Sequence, residues 1–308
     1  MSRSDDPGAG RGEASGPAAR AYGSDWSAGR RRGSEAELEE WLAFAIRVAA
    51  EADAIALRHF RSELDIAGKS DGSFVTEADR AIERLVRERI ADAYPAHGVV
   101  GEEEEVHQGD AAVRWYVDPI DGTHNFMRGV PLFGTLLACE RDGELQVGVV
   151  SAPALGERWH ARRGGGAWAV PLVGPRAGMA RRARVSTVDS FDRTQLLYSS
   201  VWDIQASGKA PGFLDSLRRV WRTRGFGDFW GYALVAEGAA EAMVEIGVKE
   251  WDLAAPVVIV EEAGGRFTDL SGRRRIDTRS MLVSNGVLHE RLLAMLWAGD
   301  EPPEEPAI

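Results

Sequence analysis

Cysteine is nearly absent from this 308-residue chain: Cys139 stands alone, so no disulfide closes within it. A single thiol fits a reducing compartment, and the expected location is cytoplasmic. No apolar run reaches the roughly 18 residues that a membrane-spanning helix needs, so no membrane partner is expected. The N-terminus also lacks the apolar segment of a secretory signal. Positive charge is in deficit: 37 Lys and Arg against 48 Asp and Glu leave a formal net charge of −11. That balance argues against a nucleic-acid backbone as partner. What is present is ordinary for a globular chain, with 44% hydrophobic and 28% charged residues. The length allows one large domain or two intimate ones.

Residues 1–34 read as a disordered tail, rich in Gly, Ser and Pro, whose basic cluster Arg30-Arg31-Arg32 is solvated. The folded part is expected over about 35–300, in halves of about 35–170 and 180–300, with 301–308 as a flexible end. Helical periodicity begins after Ser34, in Leu38, Trp41, Leu42, Ala45, Ile46 and Ala49. A second helix follows Thr76, which is spaced with Asp79 as a capping pair; Ile82, Leu85, Val86 and Ile90 form its apolar stripe. After Pro95 the pattern shortens to strands at Arg114 to Val117, Leu132 to Cys139 and Leu145 to Val150, the last two joined at Asp142-Gly143. Another pair spans Arg158 to Trp168, bending at Gly164-Gly165-Gly166. Further strands are predicted at Gln195 to Val201, Glu241 to Ile246, Arg266 to Leu270 and Met281 to Ser284. Helices are predicted from Asp228 to Glu237 and from Asp252 to Gly264-Gly265, whose glycines suit a left-handed cap. Strands and helices mix without strict alternation or repeat, which points to a layered α/β or α+β architecture with largely antiparallel sheets.

The chemistry concentrates in Trp115-Tyr116-Val117-Asp118-Pro119-Ile120-Asp121-Gly122-Thr123. An apolar strand delivers Asp118 at its end, Pro119 turns the chain, Asp121 follows three residues later, and Gly122 lets backbone approach a ligand. Paired carboxylates at a strand mouth suit a hard divalent cation, and the amides of Gly122 and Thr123 suit a phosphate. An Asp-rich turn that only caps a helix would read the same way. Two further acidic positions bear on the choice. Glu102 follows the apolar run Gly98-Val99-Val100 and opens a row of four glutamates, a pattern that is otherwise a solvated face. Asp252, in Trp251-Asp252-Leu253-Ala254-Ala255, opens a helix, as a metal ligand or as a plain N-cap.

Rival phosphatase chemistries lack their residues. Cys139 has no Arg six positions later, so it reads as a core thiol and not a nucleophile. Asp118 and Asp121 are three apart, where an Asp-x-Asp nucleophile needs two. Lys69 and Lys209 lack the Gly six positions earlier that a phosphate-binding loop requires, and no His-x-x-x-His pair exists for zinc. Metal-activated water remains.

Taken together, Gly101-Glu102-Glu103, Asp118-Pro119-Ile120-Asp121-Gly122-Thr123, and Trp251-Asp252-Leu253-Ala254-Ala255 with Glu262-Ala263-Gly264-Gly265 resemble the inositol monophosphatase family, over about residues 38–297. Within it, Arg128-Gly129-Val130-Pro131, Ser151-Ala152-Pro153-Ala154-Leu155, Trp221-Arg222-Thr223-Arg224-Gly225-Phe226-Gly227-Asp228-Phe229 and Ser284-Asn285-Gly286-Val287-Leu288-His289 are similar to the histidinol-phosphatase branch.

The resemblance implies a layered αβαβα sandwich and a Mg²⁺-dependent phosphomonoesterase using two or three Mg²⁺. It assigns Glu102, Asp118 and the Ile120 carbonyl to a first metal, with Asp118, Asp121 and Asp252 at a second. Glu102 and Thr123 would hold the attacking water, with Asp121 also catalytic. The Gly122 and Thr123 amides would face the phosphate, within a substrate site that includes Ile120, Asp121 and Asp252. Glu245 matches a substrate-binding position; Lys69 and Asp79 match positions behind the metals, though Asp79 is equally a helix cap. For a substrate with an amine and an imidazole, Asp228 and Glu245 suit the amine and Phe229 or Trp230 the ring. An N-cap role fits Asp228 as well. Arg224 would orient Asp228 or reach substrate from a partner subunit, a homodimer being the family's assembly. His124 stands where the family usually has Lys, and the tail lies outside the pattern. The alternatives are an inositol-1-phosphate or sugar phosphatase, or a non-catalytic binding protein that keeps the fold.

Overall fold

The computed structural model describes residues 33–62, 66–68, 74–107, 109 and 112–297. Arg30-Arg31-Arg32, Lys69 and 301–308 lie outside the described residues. Ser34 accepts the Glu37 N–H and starts α1 (Glu35–His59), which buries Leu38, Trp41, Ala45 and Ala49 on one stripe. The antiparallel pair β1 (Ile66–Gly68) and β2 (Phe74–Thr76) leads into α2 (Glu77–Ala93). Thr76 and Asp79 close the expected capping box, the Thr76 N–H donating to Asp79 Oδ2 at 2.8 Å.

The strands β3 (Gly98–Gly101), β4 (Val113–Asp121), β5 (Gly134–Arg141), β6 (Glu144–Ala152), β7 (Glu157–Arg162), β8 (Gly166–Pro171) and β9 (Arg181–Ala183) lie side by side in that order. The short helix α3 (Thr123–Met127) interrupts them after β4. The β3–β4 pair is parallel and every later neighbour antiparallel. Asp142 and Gly143, with φ of 50° and 82°, make the left-handed two-residue hairpin turn between β5 and β6.

The remaining elements are β10 (Gln195–Tyr198), α4 (Val201–Ala206), α5 (Ala210–Arg219), β11 (Arg222–Arg224), α6 (Asp228–Ala236), β12 (Ala242–Ile246), α7 (Glu250–Glu262), β13 (Arg266–Thr268), β14 (Ser280–Ser284) and α8 (His289–Trp297). Their strands form a second sheet of order β11-β10-β12-β14-β13, parallel on both sides of β10 and antiparallel beyond β12. Several boundaries differ from the sequence reading: β4 runs on to Asp121, β5 spans Gly134–Arg141 and β13 stops at Thr268. Two further shifts have a local cause. β10 ends at Tyr198 and not Val201, because Ser200 accepts the Asp203 N–H at 3.1 Å and starts α4. α7 begins at Glu250 and not Asp252, because Asp252 sits one turn in and accepts the Lys249 N–H at 2.7 Å. It ends at Glu262, and Gly264, with φ of 94° just beyond the C-cap Ala263, takes the left-handed conformation that the glycine pair predicts.

Three apolar cores stack these elements into the αβαβα sandwich. Leu38, Trp41, Ile82 and Val86 pack α1 and α2 on one face of the larger sheet through Val117, Leu137 and Val149. On the opposite face, Tyr116, Leu136 and Val150 share a core with Phe229, Leu253 and Val257 of α6 and α7 and with Met243 and Val283 of the smaller sheet. Leu196, Val244 and Leu282 carry that sheet's outer face, covered by Ile204, Phe213 and Leu292. α7 is therefore apolar all round, which suits a helix between two sheets.

Candidate active site

The site lies where β4, α6, α7 and β12 meet at one end of the layers. In a regular strand, residues three apart face opposite sides. Asp118 and Asp121 do not, because β4 carries a bulge: Asp118 pairs with Leu136 but Asp121 with Gly134, one extra residue intervening. Pro119 sits inside the bulge, where its missing N–H costs no ladder bond, and its carbonyl accepts the Thr135 hydroxyl at 2.8 Å. The turn expected at Pro119 is thus a bulge. Both carboxylates emerge on one side, and with Asp252 of α7 their ligand oxygens lie within 4.8 Å of one another.

Gly122 follows with φ of 82°, and a Cβ there would meet the Leu132 carbonyl at 2.8 Å, so the position demands glycine. Thr123 Oγ1 donates to the Ile120 carbonyl at 3.0 Å. Glu102, immediately after β3, faces the same cleft, and its charge acts on Asp118 and Asp252. Asp79 serves as cap and neighbour at once. It holds Thr76, feels the charge of Glu102, and keeps Oδ1 buried without a hydrogen-bond partner.

The cleft encloses roughly 790 Å³ and brings together Glu102, Asp118, Ile120, Asp121, Gly122, Thr123, Asp228, Glu245 and Asp252. Burial first, then the Glu102 charge and neighbouring aspartates, push the Asp118 carboxyl well above its ordinary range. Asp121 is raised by burial and then by Asp228 and Asp252. Asp252 is pushed up to about 7, chiefly by burial. Asp118 Oδ1 is buried with no hydrogen bond. A convergent all-oxygen donor set with an orphaned carboxylate oxygen fits a hard divalent cation, whose charge would favour the ionised forms.

At the other end, Asp228 starts α6 with φ of 51°, a left-handed conformation that Asp tolerates. It caps nothing: Gly227 is the N-cap, Asp228 accepts Asn125 Nδ2 at 3.0 Å, and Asp121 satisfies the first-turn N–H of Phe229 at 2.6 Å. Glu245 of β12 is buried, accepts the Tyr232 hydroxyl, and is pushed up to about 8 by burial and then by Asp228. Asp228 is raised to about 6 by burial, against the opposing pull of His124 and Asn125.

Other assignments change. Phe229 is buried in the core against Trp159, and Trp230 packs at a tilt against Phe226, so neither lines the cleft. The aromatic walls are Phe74, Phe226, Tyr232 and Trp251. Phe226 lies in the Trp221-to-Phe229 segment, two residues ahead of α6; nothing local marks Phe74. Arg224, at the exposed end of β11, does not line the cleft, and its Nη1 donates to the Thr223 carbonyl at 2.7 Å. His124 lines it, edge-on to Phe74 at 5.5 Å.

Residues 37–301 match the model of the inositol monophosphatase family. The chain belongs to that family. Among relatives within this inositol monophosphatase family, it is similar to the histidinol-phosphatase of Streptomyces coelicolor, 43% identical over 250 residues, covering 80% of this chain and 92% of that protein. The histidinol-phosphatase of Mycobacterium tuberculosis is 42% identical over 259 residues, covering 84% and 98%. Among solved structures, the extragenic suppressor protein suhB of Bartonella henselae superposes with a TM-score of 0.77 at 28% identity, covering 84% of this chain and 99% of that one. The bulged β4 and the aspartate of α7 thus sit in an inositol monophosphatase fold.

Proposed function

We propose that the chain is a Mg²⁺-dependent phosphoric monoester hydrolase that converts L-histidinol phosphate and water to L-histidinol and phosphate in histidine biosynthesis. The convergence of Asp118, Asp121 and Asp252, with Asp118 Oδ1 left without a protein partner, carries the reaction class. Glu102, Asp118 and the Ile120 carbonyl are assigned to one Mg²⁺ and Asp118, Asp121 and Asp252 to another, with two or three ions in all. Bound there, Mg²⁺ supplies neutralisation of the phosphate dianion, activation of water and stabilisation of the leaving alkoxide.

The chain's own groups do the positioning. Thr123 Oγ1 spends its proton on the Ile120 carbonyl, so its oxygen accepts from the attacking water. Glu102 accepts the water's other proton. The Gly122 and Thr123 amides face the phosphate, and only glycine takes up the backbone conformation at 122 without meeting the Leu132 carbonyl. Asp228 and Glu245 receive the protonated amine, whose charge favours their ionised forms against the burial that raises both. Phe226 and Trp251 flank the imidazole.

The relatives named histidinol-phosphatase support this substrate. No described helix is long and apolar enough to cross a membrane, and a cytoplasmic setting fits the lone buried thiol of Cys139. A homodimer would place Arg224, which stays clear of its own cleft, for contact across the interface. Phosphate release from histidinol phosphate with and without Mg²⁺ tests the reaction; no release above the uncatalysed rate refutes it.

A further inference from the structure

The four-glutamate run after β3 is held by a fifth carboxylate. Glu83 of α2 is fully buried, yet its Oε2 accepts the Glu103 N–H at 2.8 Å and its Oε1 the Glu104 N–H at 3.1 Å. Arg87, one turn on, donates to the same Oε1 through Nε at 2.9 Å and Nη2 at 2.7 Å. Arg87 Nη2 also donates to the Glu104 carbonyl at 3.1 Å. Like charges would drive Glu83 from this loop, but it grips backbone and not side chains: two successive amides converge on one carboxylate as an anion nest. The strand end is shaped to match. A Cβ on Gly101 would fall inside the Glu83 carboxylate and 2.9 Å from Arg87 Nη2, so glycine there leaves room for the clamp.

Glu102 lies between these two fixed points. Its carboxylate shares the cleft with Asp118 and Asp252, which it repels, so an untethered loop would relax outward toward solvent. Charge alone therefore works against the arrangement, and the backbone clamp opposes it.

We propose that Glu83 is a positioning residue for the metal centre: with Arg87 it clamps the loop by the Glu103 and Glu104 amides and so presents Glu102 to the aspartates. The inference rests on the reading of Glu102 as a metal ligand. Calorimetric Mg²⁺ titration, thermal melts without Mg²⁺, and kcat as a function of Mg²⁺ test it on three variants. Glu83→Gln keeps the shape but sets an amide N–H₂ against one of the backbone donors and weakens the Arg87 pair. Gly101→Ala displaces the same carboxylate and crowds Arg87 Nη2, but leaves both charged side chains in place. Both should weaken Mg²⁺ binding about 10- to 100-fold, with kcat recovering at saturating Mg²⁺. Glu102→Gln should lose affinity and kcat together, without recovery. Native Mg²⁺ affinity in folded Glu83→Gln and Gly101→Ala, beside a loss in Glu102→Gln, would overturn the clamp. Native Mg²⁺ affinity in Glu102→Gln would overturn the metal-ligand reading, and the clamp with it.

Discussion

The backbone N–H of Phe229 donates to Oδ2 of Asp121 at 2.6 Å. One bond thus joins the bulged end of β4 to the first turn of α6, the helix that also carries Asp228. The carboxylates of β4 and the wall that carries Asp228 are tied by this bond, so their geometries are set together.

Asp121→Asn follows from that bond. The amide oxygen still accepts the Phe229 N–H, so the fold should persist, and loss of one buried like charge should leave the Mg²⁺-free melting temperature unchanged or higher. Turnover should fall on the order of 10³-fold. Mg²⁺ at about 100 times its Kd should stabilise the native chain by roughly 2.7 kcal/mol and the variant by far less. Near-native turnover in the variant would refute the site.

Asp53→Ala should damage stability without touching catalysis. Asp53 of α1 accepts Arg158 Nη2 at 2.6 Å and the Ser151 hydroxyl at 2.9 Å, all three being buried. Removing it strands the guanidinium and should cost about 3–5 kcal/mol in urea unfolding. Unchanged stability would show that the pair contributes nothing.

Acid should weaken the fold through His289. Its ring sits between the Thr268 and Ser284 hydroxyls, each at 2.9 Å, and burial lowers its pKa to about 3. The unfolded chain, with an ordinary pKa near 6.5, binds the proton more readily. This contribution is therefore complete above about pH 6.5 and is lost as pH falls from there toward 3, by roughly 2 kcal/mol at pH 5. Urea melts at pH 7.5 and pH 5 should differ less in His289→Gln than in the native chain. An equal difference would remove His289 from the account.

Much of this architecture was legible from residue pattern. Ser34, the Thr76–Asp79 box, Asp142-Gly143 and Gly264 each announce a boundary by local chemistry, and each stands where expected. Glu102, Asp118, Asp121 and Asp252 were readable as a set because three segments carried carboxylates at element ends. The bulge was not readable, since it is a property of β4 against β5 and not of β4 alone. The exchange of Phe229 for Phe226 has the same origin. The start of α6 at Asp228 was legible, but which aromatic faces the cleft depends on how the helix docks, and Asp121, more than a hundred residues away in sequence, supplies the carboxylate oxygen that satisfies its first turn. Short elements such as α4 and β11 have too few residues to show a period.

The central claim is the substrate, and the most direct measurement is kcat/KM for histidinol phosphate beside inositol 1-phosphate at saturating Mg²⁺. Asp228 and Glu245 line the cleft and would pair by charge with the first compound's ammonium, where the second offers them only neutral hydroxyls. The account predicts histidinol phosphate preferred by at least tenfold, roughly 1.4 kcal/mol in transition-state stabilisation. A tenfold preference for inositol 1-phosphate would contradict it.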